Sequence, residues 1–219
     1  MNIEKVDISK SASASQIIFE ALRNAIIAGE MEVGTPLRQD EIARMFNTSR
    51  IPVREAISRL EEHGLVKSQR YKGAVVSGLS VEEAKEIFQF RILLETEVIR
   101  LSVPRMTRKD VDNAATACEA FEKATDPMLW GPLNRDFHLS LYQASQLGYH
   151  LEAITNAMDK VDRYLRAQLM MSDGMALADK EHKAILKACS DNDAERAARL
   201  TSEHLRDAMG SLLTHLEAL

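Results

Sequence analysis

The stretch Ser49-Arg-Ile-Pro-Val-Arg-Glu-Ala-Ile-Ser-Arg-Leu60 decides how the first part of the chain is read. Ser49 is a good helix N-cap, and Pro52 is tolerated in a first turn. Val53, Ile57 and Leu60 then form an apolar stripe that Gly64 closes. With that stripe turned to a core, Arg50 and Arg54, four residues apart, remain together on the opposite side near the helix start. Just upstream, residues 39–46 read as a short helix with Ile42, Met45 and Phe46 on one side, ending at the turn-like Asn47, Thr48 and Ser49. Earlier still, Ile17, Ile18, Ala21, Leu22, Ala25 and Ile26 recur at helical spacing until Gly29, and the Ser/Ala alternation over 11–15 belongs to the start of that helix. Downstream the period changes. Residues 65–68 and 74–77 are short strand-like runs around Arg70, Tyr71, Lys72 and Gly73, a hairpin with a basic tip. Helix, helix, turn, helix and hairpin make a winged helix-turn-helix.

In such a module Arg50 and Arg54 are placed to enter the major groove of double-stranded DNA, where an arginine fork grips guanine O6 and N7. Arg38 and Ser49 sit at helix starts, suited to phosphates. Arg70, Tyr71 and Lys72 suit the backbone or an adjacent minor groove, and Gly73 allows close approach. Two arginines on a helix are, alone, more often a solvated face. The short turn, the cap, the basic wing and the local charge together favour the DNA reading.

The 219 residues carry a net charge of −5 and are 45% apolar, which excludes a disordered chain, a polycation and a collagen-like polymer. Nine Gly, five Pro and few aromatics favour helices. The charge is uneven: residues 1–79 hold 11 basic against 10 acidic side chains, residues 80–219 hold 17 against 23, and residues 38–72 hold eight against five. A DNA-reading domain over 1–79 and an acidic helical domain over 80–219 are expected. Cys118 and Cys189 fit neither a disulfide framework nor a cysteine zinc site, so a reduced, cytoplasmic setting is expected. Met1 to Lys10 show no export signal, and no apolar run approaches the roughly 18 residues that span a membrane.

Ser80 and Glu83 read as a capping box, and helical patterning then continues to the C-terminus. Six helices are expected, over 80–103, 107–124, 126–146 with a break at Gly131 and Pro132, 149–171, 175–190 and 192–216. The fold class is mainly α, a winged helix-turn-helix followed by an all-α six-helix bundle. His138, His182 and His204 lie on three of these helices, each near an inward face, and Asn134 is one turn before His138. Converging neutral imidazoles can hold a divalent transition metal such as Zn or Ni, while three separate hydrogen-bonded core histidines are the plainer alternative. Arg91 and Glu95, four apart on an inward stripe, are either a permanent ion pair or a clamp in which Arg91 takes the carboxylate of a small effector. Asp136 points elsewhere on its helix, and Glu181, about 100° around the helix from its neighbour His182, does not readily share that histidine's site. Leu151, Ile154, Met158, Val161, Leu165 and Leu169 form a core or interface stripe, Met170 and Met171 suit a pocket wall or a packing gap, and Trp130 covers the bundle end. A metal-dependent enzyme and a helical adaptor compete with a DNA-binding regulator at this point.

Three stretches resemble the DNA-binding signature of the GntR family of bacterial transcription regulators: Pro36-Leu-Arg-Gln-Asp-Glu-Ile-Ala, the Ser49 stretch quoted above, and Gly64-Leu-Val followed by Lys72-Gly-Ala-Val-Val. The resemblance implies DNA contacts by Arg38, Ser49, Arg50, Arg54 and Gly73. Asp40 stands where some branches carry a basic contact, so none is transferred there. Arg91-x-x-x-Glu95, Asn134-x-x-Phe137-His138, Glu181-His182-x-x-Ile185 and His204-Leu205 resemble the C-terminal FCD domain of the FadR branch, and six helices are similar to the VanR-type subgroup. This likeness implies a metal held by Asn134, His138, His182 and His204, with Asn134 giving a neutral oxygen where aspartate is usual. It further implies a carboxylate effector and a homodimer on a pseudo-palindromic operator, with repression the commoner outcome and no enzymatic activity.

Overall fold

In the computed structural model, residues 13–170 and 174–217 are described, and the chain divides after Gly78 into two units. Residues 1–12, including the start of the Ser/Ala alternation and the segment read for an export signal, lie outside the described residues, as does Met171.

In the first unit Ser13 caps α1 (Ala14–Ile27), its hydroxyl accepting from the Gln16 amide at 3.2 Å. Ile18, Phe19, Leu22 and Ile26 are buried, and Gly29, at φ 75°, turns the chain out of the helix. α2 (Gln39–Met45) and α3 (Arg50–Glu62) follow, joined through Asn47 in the left-handed region at φ 48°. Val53, Ala56, Ile57 and Leu60 of α3 pack into the same core as α1. Three positions differ from the expected stripes: Ile17, Ala21 and Met45 are exposed, because each lies at the margin of its helix's buried arc. β1 (Val66–Gln69) and β2 (Gly73–Val76) pair antiparallel from Val66↔Val76 to Gln69↔Gly73. The segment before α2 adds a bridge of Pro36 to Val75, with the Leu37 amide donating to the Ala74 carbonyl at 2.8 Å.

The second unit has six α-helices among its described residues, α4 (Val81–Ser102), α5 (Arg108–Lys123), α6 (Pro127–Tyr142), α7 (Gly148–Met170), α8 (Gly174–Ser190) and α9 (Ala194–Glu217), and short 3-10 turns at Val103–Arg105 and Gln143–Ser145. Ser80 accepts from the Glu83 amide at 3.1 Å, and the full reciprocal capping box is found one helix later, between Thr107 and Asp110. α4 lies along α9, α5 packs on α6 and α8, and α6 on α7. Phe137, Leu141, Ile154 and Ile185 fill the centre. From the expected α7 stripe, Ile154, Met158 and Val161 are buried.

The break expected at Gly131 and Pro132 is not found, and α6 runs through both. Pro132 falls early in the helix, where it removes one backbone donor, and the fully buried Phe137, Leu141 and Tyr142 hold the rest in place. Gly131 serves the neighbouring helix instead: a Cβ there would stand 2.4 Å from Asp162 Oδ1. Asp162 and Asp159 of α7 in turn flank Arg135 of α6, at 3.7 and 2.8 Å. Trp130 Nε1 donates to the Ala124 carbonyl at 3.0 Å, tying the start of α6 to the end of α5.

Candidate functional site

On the first unit, α3 buries Val53 and Ile57 and leaves Arg50 and Arg54 exposed. Arg50 Nε lies 3.2 Å from Asp40 Oδ1, so the acid on α2 holds the first arginine of α3. Among the described residues Arg54 has no ion-pair partner, which leaves its five donors to solvent. Ser49 is the N-cap, yet its hydroxyl makes no capping bond, and the orphan amides of the first turn open beside it. Arg38 is the N-cap of α2 and pairs with Glu41 at 3.1 Å. At the wing tip the Arg70 guanidinium lies over the Tyr71 ring at 4.9 Å, with Tyr71 91% exposed, and Lys72 is exposed beside them. Gly73 sits at φ 72° in open space, so within this chain its glycine answers the backbone turn rather than a close neighbour.

On the second unit, α6, α8 and α9 bring His138, His182 and His204 together, with one potential ligand atom from each ring lying within 4.8 Å of the others. All three are buried. His138 Nε2 and His204 Nε2 are 3.2 Å apart. Both nitrogens of His182 are buried without a hydrogen-bond partner, while its ring packs against Phe121 and Phe137 at 4.8 and 4.4 Å between centroids. Burial pushes His138 and His182 well below the usual imidazole range, and the neighbouring imidazoles push the same way. Neutral rings with lone pairs to offer are the state that binds Zn or Ni. The orphaned nitrogens of His182 therefore fit a metal, and the three separate, satisfied core histidines of the alternative reading do not match this geometry.

Beside the cluster is a cavity of about 80 Å³, lined among others by Arg91, Gly131, Asn134, Leu177, Glu181 and His204. At roughly 15 Å³ of such volume per water, it has room for a handful of waters or one small molecule. Asn134 thus lies at the cavity, and Asp136 is exposed on another side of α6. Arg91 forms the internal ion pair, its Nε donating to Glu95 Oε1 at 2.6 Å, and it also lines the cavity.

Two further residues join this centre. Glu181 is directed away from His182, as helix geometry requires, but its Oε2 accepts from His204 Nδ1 on α9 at 2.7 Å. Its expected separation from the histidine site is corrected by that contact, because the angle between neighbours on one helix says nothing about reach to another. Tyr142, one turn after His138, donates from its hydroxyl to Glu95 Oε2 at 2.8 Å and stands 3.3 Å from His138 Nδ1. Its spacing of four from His138 is a signal that periodicity offers.

A family model described as bacterial regulatory proteins, gntR family, matches residues 14–76, and an FCD domain model matches residues 86–207. The HTH-type transcriptional repressor RspR of Escherichia coli (strain K12) is 27% identical over 219 residues, covering 97% of this chain and 94% of that protein. The gluconate operon transcriptional repressor of Bacillus subtilis (strain 168) is 37% identical over 105 residues, 48% of this chain and 41% of its own. Among solved structures, a GntR family regulator from Pseudomonas syringae pv. tomato str. DC3000 is 36% identical, covering 94% of this chain and 86% of its own, at a TM-score of 0.58. McbR/YncC of E. coli shares the fold at 20% identity and a TM-score of 0.80, over 93% of this chain and 99% of its own. These relatives are regulators rather than enzymes, and no helix among the described residues is long and apolar enough to cross a membrane. With an exposed arginine pair on a winged unit and a histidine centre in the helical one, the chain belongs to the GntR family of DNA-binding transcriptional regulators and carries a C-terminal FCD domain.

Proposed function

We propose that this chain is a cytoplasmic homodimeric repressor whose reader, residues 1–79, binds a pseudo-palindromic operator and whose sensor, residues 80–219, responds to a small carboxylate. Within the family we place it in the FadR branch, with the six helices of the VanR-type subgroup. Arg54 and Arg50 read guanines, Arg38, Ser49, Arg70, Lys72 and Gly73 hold the backbone, and Asp40 steers Arg50. A single short helix reads too few bases alone, which favours two copies on a repeated half-site.

In the sensor, His138, His182 and His204 hold a divalent transition metal, Zn or Ni, with Asn134 as an oxygen donor, and Arg91 faces the effector. The metal supplies positive charge for an anionic ligand. Arg91 orients the carboxylate, and Leu177 and Ala208 give the cavity an apolar wall. The ligand acts on DNA binding by favouring one arrangement of the dimer over another. One observation carries this reading: both nitrogens of the buried His182 lack a partner, beside a cavity that Arg91 lines. FCD domains bind metals as a class, in line with it.

The test is elemental analysis of chain loaded with zinc or nickel and desalted, together with selection of bound fragments from genomic DNA. One metal per chain and enrichment of a repeated half-site are expected. Metal-free protein after loading overturns the sensor reading, and fragments without a shared sequence overturn the reader.

A further inference from the structure

The hydrogen bonds behind His138 and His204 determine which nitrogen of each of these two rings carries its proton. Glu181, as a carboxylate, can only accept, so His204 Nδ1, 2.7 Å from its Oε2, must be the N–H. Glu95 likewise only accepts. The shorter bond of Tyr142, 2.8 Å, goes to Glu95 Oε2, so the hydroxyl proton is committed there. Toward His138 Nδ1, at 3.3 Å, the tyrosine then offers a lone pair, and His138 too carries its proton on Nδ1. Arg91 holds the other oxygen of Glu95 at 2.6 Å and so fixes the carboxylate that fixes the tyrosine.

The consequence is at the opposite edges of the two rings. In neutral rings His138 Nε2 and His204 Nε2 are both left bare, and they face each other at 3.2 Å. Two lone pairs at that distance are not a hydrogen bond. They repel, in a buried site, until a cation lies between or beside them. His182 contributes two more unpartnered nitrogens and is aligned by Phe121 and Phe137 rather than by any acid.

We infer that Tyr142 and Glu181 are positioning residues for cation binding, each locking one histidine in the Nδ1–H form so that the Nε2 lone pairs converge. The chain from Arg91 through Glu95 and Tyr142 to His138 also ties the cavity's arginine to the histidine centre, so Tyr142 is where the two are joined. This inference rests on the metal-holding reading above and deepens it.

The experiment is Zn2+ competition against a chromophoric chelator, with the visible spectrum of the Co2+ form as a second readout, on the full chain and on Tyr142→Phe and Glu181→Ala. Loss of such outer partners weakens metal binding by about 10- to 100-fold. Both variants are expected in that range, with a shifted Co2+ spectrum and, in 15N spectra of the histidines, a mixed tautomer at His138 for Tyr142→Phe. Glu181 lies at the cavity rim, so its variant tests the idea independently of core packing. Variants within twofold of wild type, with an unchanged spectrum, overturn the positioning roles while leaving the metal site standing. A wild-type chain that binds no Zn2+ overturns both.

Discussion

Two of the arginine–carboxylate pairs of this molecule, Arg50–Asp40 on the reader and Arg91–Glu95 in the sensor, are alike in chemistry and opposite in setting. The first joins side chains that are 66% and 70% exposed, and the second joins side chains that are 2% and 0% exposed. An exposed pair is screened and costs little to open, so Arg50 remains free to exchange its partner for a base edge. A buried pair cannot be opened without leaving a charge in a poorly solvated interior, so it holds its geometry and passes that geometry on. The reader keeps Arg50 and Arg54 available, whereas the sensor commits Arg91, Glu95 and Tyr142 to one another and leaves His182 without a partner.

Breaking the buried pair is expected to have the largest effect. Arg91→Ala leaves Glu95 uncompensated and should cost about 3–5 kcal/mol in urea unfolding. Replacing both partners together with apolar residues should recover much of that loss.

Acid is next. His138 and His182 sit below the imidazole value of 6.5 in the folded chain, chiefly because burial disfavours the charged ring. The unfolded chain therefore takes up their protons first as pH falls, and stability decreases from about pH 6.5 downward in the metal-free protein. The slope is at most about 1.4 kcal/mol per pH unit for each ring. Denaturation midpoints that do not move between pH 7 and pH 5 contradict the neutral, buried state of the cluster.

Gly131→Ala should cost about 1–3 kcal/mol by displacing the buried Asp162 carboxylate that flanks Arg135, measured by the same unfolding curves. Asp40→Ala should be the mildest of these, changing stability by less than about 1 kcal/mol while altering base preference at the position Arg50 reads. A base preference identical to wild type in a selection assay removes the steering role of Asp40.

What the sequence carried and what it did not follows the same division. Arg50 and Arg54 were legible because periodicity on one helix fixes which residues share a face, and the local charge supplied the reason. His138, His182 and His204 were legible as inward positions on separate helices. Their partners were not: Glu181 meets His204 across two helices, and Glu95 meets Tyr142 across another two, and no spacing within one element encodes such a meeting. Gly131 and Pro132 misled for a related reason. Their local preference is to end a helix, but the packing of Phe137, Leu141 and Tyr142 outweighs one missing donor. The bridge between Pro36 and Val75 was hidden because a single pairing leaves no alternating pattern to read.

On the proposed reading α3 meets DNA through side chains that hold little of the fold, Arg54 without an ion-pair partner among the described residues and Arg50 with an exposed one. This role of α3 is tested most directly by fluorescence anisotropy on a fragment selected from genomic DNA, comparing wild type with Arg54→Ala. A bidentate base contact is worth about 1–3 kcal/mol, so specific affinity should fall by roughly 5- to 150-fold with the unfolding curve unchanged. Lys72→Ala, run alongside, should weaken binding evenly across sequences and reduce the salt slope by about one. Operator affinity unchanged in Arg54→Ala would contradict the account.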